Sequence, residues 1–317
     1  MLLTDLLPIK YPVLVAPMFL VSNVEMVVAA LEFGATAAIP ALNYRTNQEM
    51  KQAILSIRSK TDKPFGINLI VNKSNPKFKA QLQTLSELKV DFIITSLGSP
   101  KETIDTCKPL GIKVFCDVTD VAYAQKVAQL GADAIIAVTN TAGGHCGNLS
   151  GEQLIPEILK HCNLPVIWAG GIATHLHYKN ALQVGAAGVS VGTLFLAATE
   201  APISDAYKSA LISYGAKDIV LTSKLSGSHL TVINTPYVQK TGTKASAFEK
   251  FLLSNKRLKK YYKLFVGLKG MQKIRKAAFS ATYQTVWCAG PSIEYIHEIK
   301  PLKHILAELV NNSGAAV

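Results

Sequence analysis

One pattern recurs along this 317-residue chain: a short apolar run, a helix-patterned stretch opened by a polar residue, and often a glycine stop. Residues 13–18 are the first run, followed by a helix over 23–33 that Asn23 caps and Gly34 ends. Runs at 35–40, 64–71, 91–96, 113–117, 134–138, 164–172 and 188–193 repeat it. The helices between them are expected at 47–59, 75–88, 100–110, 119–130, 152–161 and 176–184. Roughly eight such units are the number at which parallel strands close into a barrel. A doubly wound open sheet would need a longer excursion at its switch point, and none interrupts the series. The expectation is an α/β chain built as a (β/α)8 TIM barrel.

Beyond Ala206 the grammar changes. Gly227, Thr231, Asn234, Pro236 and Gly242 read as turn markers, and basic helical stretches follow at 248–265 and 271–281. Residues 283–292 return the chain, 296–310 form a closing helix, and 311–317 are a frayed tail. The expected organisation is a barrel over 1–207 and a smaller, mainly helical cap inserted over 208–284. A return segment over 285–317 packs its helix on the barrel.

With 49% hydrophobic and 17% charged residues the chain can bury a sizeable core. No run approaches the ~20 apolar residues that span a bilayer. The start carries Asp5 and lacks the basic opening and small-residue cleavage site of a secretory signal, so a cytoplasmic protein is expected. Cys107, Cys116, Cys146, Cys162 and Cys288 form no pair of metal or redox spacing, and no metal site is expected. Cys146 flanks a candidate catalytic residue and is the one thiol to watch for reactivity. His175 and His177 read as the capped start of a helix.

The net charge of +12 is concentrated. Residues 250–276 hold Lys250, Lys256, Arg257, Lys259, Lys260, Lys263, Lys269, Lys273, Arg275 and Lys276 without an acid among them. A solvated helix face is the plainer reading and an acidic partner the sharper one. Nucleic acid is not expected, because the charge is not spread along a binding face.

The chemistry gathers at the carboxyl ends of the runs, where parallel α/β proteins place it. Residues 138–149 read as a glycine-rich loop between strand and helix, with His145 as the candidate catalytic group. Gly143 and Gly144 would let backbone approach a ligand that a Cβ excludes. Ala169, Gly170 and Gly171 after one strand, with Gly192 and Thr193 after the next, offer bare amides and a hydroxyl for a phosphate. Met18 offers a polarizable surface, Asn68 an amide with donors and an acceptor, and Ala142 with Gly143 room for a ring edge. Together they suit a flat, phosphorylated aromatic cofactor, although Met18 also reads as core filler and Asn68 as a strand-end hydrogen bonder.

The segments ending at Met18 and Asn68, residues 142–147, residues 165–172 and residues 185–201 resemble, in order, the nitronate monooxygenase family, formerly called 2-nitropropane dioxygenases. FMN-dependent enoyl-acyl-carrier-protein reductases share that framework. The resemblance implies FMN held by Met18, Asn68, Gly143, Gly171, Gly192 and Thr193, with His145 facing a small-molecule substrate. Three positions depart from the family. Thr141 stands where members usually carry Glu, Val138 where they carry Gln or Glu, and Asp117 at the apparent match to a lysine of many monooxygenases. The implied activity is oxidation of alkyl nitronates by FMN and oxygen. NADH-dependent reduction of an enoyl group on acyl carrier protein is the alternative, with the basic run as landing site. A flavin-binding barrel without turnover is the reading from another class.

Overall fold

The structure, a computed structural model, describes residues 1–72, 75–222, 230–243 and 286–311. Parallel strands β1 (Val13–Val15), β2 (Thr36–Pro40), β3 (Gly66–Ile70), β4 (Phe92–Ser96), β5 (Lys113–Val118) and β6 (Ala134–Val138) pair in chain order. The two-residue strand β7 (Gly144–His145) leaves the series, and β8 (Val166–Ala169) and β9 (Gly188–Val191) complete it. β9 returns to β1 in the register Val13↔Val189, Leu14↔Ser190 and Val15↔Val191, so the barrel closes as expected.

Alternation along the strands divides the residues into two cores. Odd-numbered side chains of β1, β2 and β3, such as Val13, Ile39 and Ile67, meet the surrounding helices. Leu14, Ala38, Phe92, Ile94, Phe115, Ala134, Ile136, Ile167 and Ala169 point inward and fill the barrel. Phe92 stacks on Phe115 at 4.8 Å between ring centroids. Their bulk is accommodated by Gly66, whose missing Cβ would lie 2.1 Å from the Phe92 ring. The floor is helix α1 (Leu3–Leu6): Leu3 and Leu7 join the inner core, and the Leu3 amide donates to Ala187 O at 2.7 Å.

Outside the barrel run α2 (Val24–Phe33), α3 (Asn47–Arg58), α4 (Phe78–Glu87), α5 (Lys101–Cys107), α6 (Val121–Gln129), α7 (Gly151–His161) and α8 (His175–Gln183). Asn23 and Gly34 bound α2 as expected, while α6 begins after Asp120 and not at Thr119. Asn23 accepts from the Met26 amide and Asp120 from the Tyr123 amide, each at 2.8 Å, and Gly34 ends α2 at φ +103°. α4 begins three residues later than its pattern suggests. Asn75 instead directs its side-chain amide to Ile70 O and Gln81 Oε1, ahead of Pro76.

After β9 the chain forms α9 (Asp205–Ser213), then β10 (Ile219–Thr222) antiparallel to β11 (Leu230–Ile233), then α10 (Pro236–Thr241). Thr231, expected at a turn, lies within β11, where Leu-Thr-Val-Ile supplies the β-branched residues a strand favours. The helices expected at 248–265 and 271–281, and with them the basic run, lie outside the described residues.

The last helix, α11 (Leu302–Asn311), packs against α2 and α8 and so fills the eighth place in the helical ring. It begins after Pro301, not at 296, because Lys300 is held extended in a bridge to Ala198 and a residue before proline disfavours the helix. The Glu200 carboxylate then accepts from the Leu302 amide at 2.9 Å, placing negative charge at the helix amino terminus.

Replacing Gly66 by Ala forces a methyl into the Phe92 ring. The variant should lose about 1–3 kcal/mol of stability, read from the shift of a denaturant unfolding midpoint. An unchanged midpoint would mean the inner aromatic layer can yield.

Candidate active site

The loop carrying His145 is held from three sides. It closes on itself where the Asn140 amide donates to Leu149 O at 2.8 Å and the Gly147 amide to Thr139 O at 3.1 Å. β7 then pairs with β11, Leu230 opposite His145 and Thr231 opposite Gly144. The Thr231 hydroxyl donates to Ala142 O at 2.6 Å. From the third side comes the returning chain, where the Gly290 amide donates to the Thr193 hydroxyl at 2.9 Å. Tyr207 steadies that segment by stacking on Trp287 and donating its hydroxyl to Cys288 O.

The paired glycines of the loop serve different ends. Gly144 adopts φ +74°, with nothing within 4 Å of where its Cβ would be, so conformation requires it. Gly143 is required by space, and protein fills that space: a Cβ would meet Thr193 Oγ1 at 2.8 Å and the Gly290 amide nitrogen at 3.0 Å. His145 itself is exposed at the mouth, yet desolvation by the walls around it pulls its pKa below the usual histidine value. It is therefore neutral at pH 7, with one ring nitrogen to donate and one to accept. Burial pushes the neighbouring Cys146 thiol up, which opposes the thiolate that reactivity would need.

At the end of β8, Gly170 and Gly171 take φ values of +110° and +78° in succession. Their missing side chains let the His145 loop press close. A Cβ on Gly170 would sit 2.4 Å from Thr139 Oγ1, and one on Gly171 2.7 Å from Thr141 Oγ1. Outside the strand ladders, none of the hydrogen bonds among the described residues uses the amides of Gly171 or Gly192. Free amides gathered at the ends of two neighbouring strands form the kind of concavity that receives an anion. Ala142, Ala169 and Thr193 lie buried around this corner. Met18 closes it from β1: its Sδ would touch a Cβ on Gly192 at 3.7 Å, and its amide is fixed by Ser22 Oγ at 2.8 Å.

The opposite wall is polar. Asn68 is buried on β3 and donates from Nδ2 to Ser96 Oγ at 2.6 Å and to Ile94 O at 3.3 Å. Ser96, ending β4, donates in turn to Asp117 near the end of β5. Desolvation raises the Asp117 carboxyl to about 6 although the Ser96 bond acts the other way. Ser96 escaped the sequence reading; the signal was there in the polar Thr95-Ser96 step at the end of an apolar run.

The candidate catalytic and cofactor-binding residues thus lie at the carboxyl ends of the strands, at one end of the barrel. His175 and His177 do not join them. His175 Nδ1 contacts Leu309 O at 3.1 Å and His177 Nδ1 faces the Ala173 amide, tying α8 to its surroundings. Among the described residues no group of three or more His, Cys, Asp or Glu side chains could hold a metal, and no helix is long and apolar enough to cross a membrane. A cleft of about 340 Å³ lined by residues such as Lys10, Glu32 and Lys63 opens at the amino-terminal ends of the strands, away from this constellation.

The family model for nitronate monooxygenase matches residues 1–312. A (3aS,4S,5R,7aS)-5-hydroxy-7a-methyl-1-oxo-octahydro-1H-indene-4-carboxyl-CoA dehydrogenase of Rhodococcus jostii is 30% identical over 236 residues, which are 74% of this chain and 66% of that protein. A probable nitronate monooxygenase of Staphylococcus haemolyticus is 27% identical over 75% of this chain and 79% of its own length. Among solved structures, FabK from Thermotoga maritima superposes with a TM-score of 0.85 at 28% identity, covering 97% of this chain and 94% of its own. An oxidoreductase framework is common to the matches, and since the family model covers all but the last residues, the chain belongs to the nitronate monooxygenase family.

Proposed function

We propose that the protein is an FMN-dependent oxidoreductase that oxidises alkyl nitronates with oxygen at the mouth of its barrel. The observation that carries this reading is the corner beside Met18 where Gly171 and Gly192 leave their amides free, at the same end of the barrel as Asn68 and the His145 loop. The residues fit FMN. Free amides suit its phosphate, Met18 an aromatic face, and Asn68 the donor and acceptor edge of a flavin. When bound, FMN would take up two electrons from the substrate and hand them to oxygen.

The chain's own part is positioning and proton handling. A nitronate arrives as an anion, and a neutral His145 can donate one hydrogen bond to a nitro oxygen without a buried charge to desolvate. Where a neutral nitroalkane binds, the other ring nitrogen can take the α-proton, a role suited to a histidine that is unprotonated at pH 7. The Thr231 bond to Ala142 O and the β7–β11 pairing keep the imidazole at a fixed height over the mouth.

A second reading, oxidation or reduction of an acyl thioester, is favoured by the carboxyl-CoA dehydrogenase of Rhodococcus jostii at 30% identity. The enoyl-acyl-carrier-protein reductase alternative belongs to it. An anaerobic absorbance titration separates the readings: bleaching of the flavin band by propyl nitronate supports the first, and bleaching by NADH followed by reoxidation with an enoyl thioester replaces it with the second.

Replacing His145 by Ala should lower turnover of a neutral nitroalkane by about 10²–10⁴-fold while FMN stays bound; turnover equal to wild type would remove His145 from the mechanism. The acid limb of the wild-type profile should fall below the ordinary histidine pKa, because a depressed pKa keeps the base unprotonated to lower pH. A Thr231→Val variant should lose about 1 kcal/mol of stability, together with part of the turnover and none of the FMN. If only stability falls, the hairpin does not govern the histidine.

A further inference from the structure

The two hydrogens of the Asn68 amide are both engaged inside the wall, one by Ser96 Oγ and one by Ile94 O. What Asn68 can offer the mouth is its oxygen, an acceptor. That orientation is dictated from two strands away. Ser96 has a single hydrogen and gives it to Asp117, so toward Asn68 it can only accept. The whole chain therefore runs in one direction, Asn68 to Ser96 to Asp117, and its direction is fixed by the ionised carboxylate at its end.

A carboxylic acid at that end has a hydrogen of its own. Asp117 can then donate to Ser96 Oγ, which frees the Ser96 hydrogen to point at Asn68, and the amide accepts it by turning over, giving up its longer bond to Ile94 O at 3.3 Å. We propose that Asp117, acting through Ser96, sets which face of the Asn68 amide the barrel mouth presents: oxygen when Asp117 is ionised, NH2 when it is protonated. Asp117 and Ser96 are positioning residues in this scheme, and Asn68 is the residue that meets the ligand. The inference rests on the reading of the mouth as a flavin site, because a flavin edge carries both donors and acceptors and so registers the exchange.

The surroundings leave the exchange to Asp117 alone. β3, β4 and β6 carry no charged side chain. From its own strand Asp117 has Cys116 as neighbour, and burial pushes that thiol up to about 12, with Asp133 acting in the same direction. From α6 comes Tyr123, raised by desolvation and by the charges of Cys116, Asp117 and Asp120, its hydroxyl given to Gly98 O. Both neighbours stay neutral over the range in which the carboxyl, raised to about 6, changes state. A ligand that turns an acceptor toward Asn68 is met by NH2 when Asp117 is protonated and by oxygen when it is ionised, so it favours the protonated state. Binding therefore raises the Asp117 pKa, and by linkage the ligand binds more tightly where Asp117 is protonated, at low pH.

The test is FMN binding to apo-protein, followed by quenching of flavin fluorescence from pH 5 to pH 8, in wild type, Asp117→Asn and Ser96→Ala. Wild type should bind about tenfold more tightly at pH 5 than at pH 8, the ratio that one unit of pKa change on binding produces. The Asp117→Asn side chain cannot ionise, so this variant should bind FMN with one affinity across the range. Ser96→Ala leaves Asp117 free to ionise and cuts the chain, so most of the dependence should vanish. The FMN phosphate titrates near pH 6 in all three proteins, and their differences cancel it. A Ser96→Ala protein that keeps the full wild-type dependence would overturn the proposal in favour of plain charge repulsion. Equal profiles for wild type and Asp117→Asn would overturn it as well. If FMN does not bind to wild type at any pH, the flavin reading falls and takes the proposal with it.

Discussion

Closure of the strand ring by β9 on β1 is the constraint on which the other features rest. A closed parallel barrel has no unpaired edge, and its inward side chains must fill a fixed volume. Here the lower part is filled by aliphatic residues and by the Phe92–Phe115 stack, with α1 as a plug. Since that volume is full, the inward positions at the upper end need not be apolar. They carry Asn68, Ser96 and Asp117, a chain of polar groups whose desolvation is offset by their hydrogen bonds to one another.

The mouth is completed by chain remote in sequence. Gly290 and Thr193 are joined by a hydrogen bond across 97 positions, and Thr231 and Ala142 across 89. These long-range bonds explain why Gly143 admits no side chain. The His145 loop is the meeting point of barrel, hairpin and return segment, and its shape is set by contacts on every side except the one open to the mouth.

Much of this was readable beforehand, for identifiable reasons. Buried parallel strands announce themselves as continuous apolar runs, and Asn23 and Gly34 advertise helix ends through local hydrogen bonds and backbone conformation alone. Those features need no partner far away, so sequence displays them. Thr231 and Ser96 were not legible as site residues because their roles depend on what lies opposite: Gly144 in one case and Asp117 in the other. The late start of α11 is similar, since only the bridge to Ala198 reveals that Lys300 is extended. Gly143, Gly170 and Gly171 were found for an incomplete reason. Small residues were expected to admit a ligand, and they also admit neighbouring loops.

That α11 supplies the eighth member of the helical ring has a consequence for how the protein comes into being. Its partners α2 and α8 are made long before it, and the Leu302 amide waits for a Glu200 carboxylate about a hundred residues upstream. Joining such distant pieces costs loop entropy before any contact rewards it, which slows folding in proportion to the sequence separation of the contacts. During synthesis the growing chain therefore carries apolar flanks of α2 and α8 that no later element yet covers. Such apolar surface is prone to aggregate until α11 docks on it.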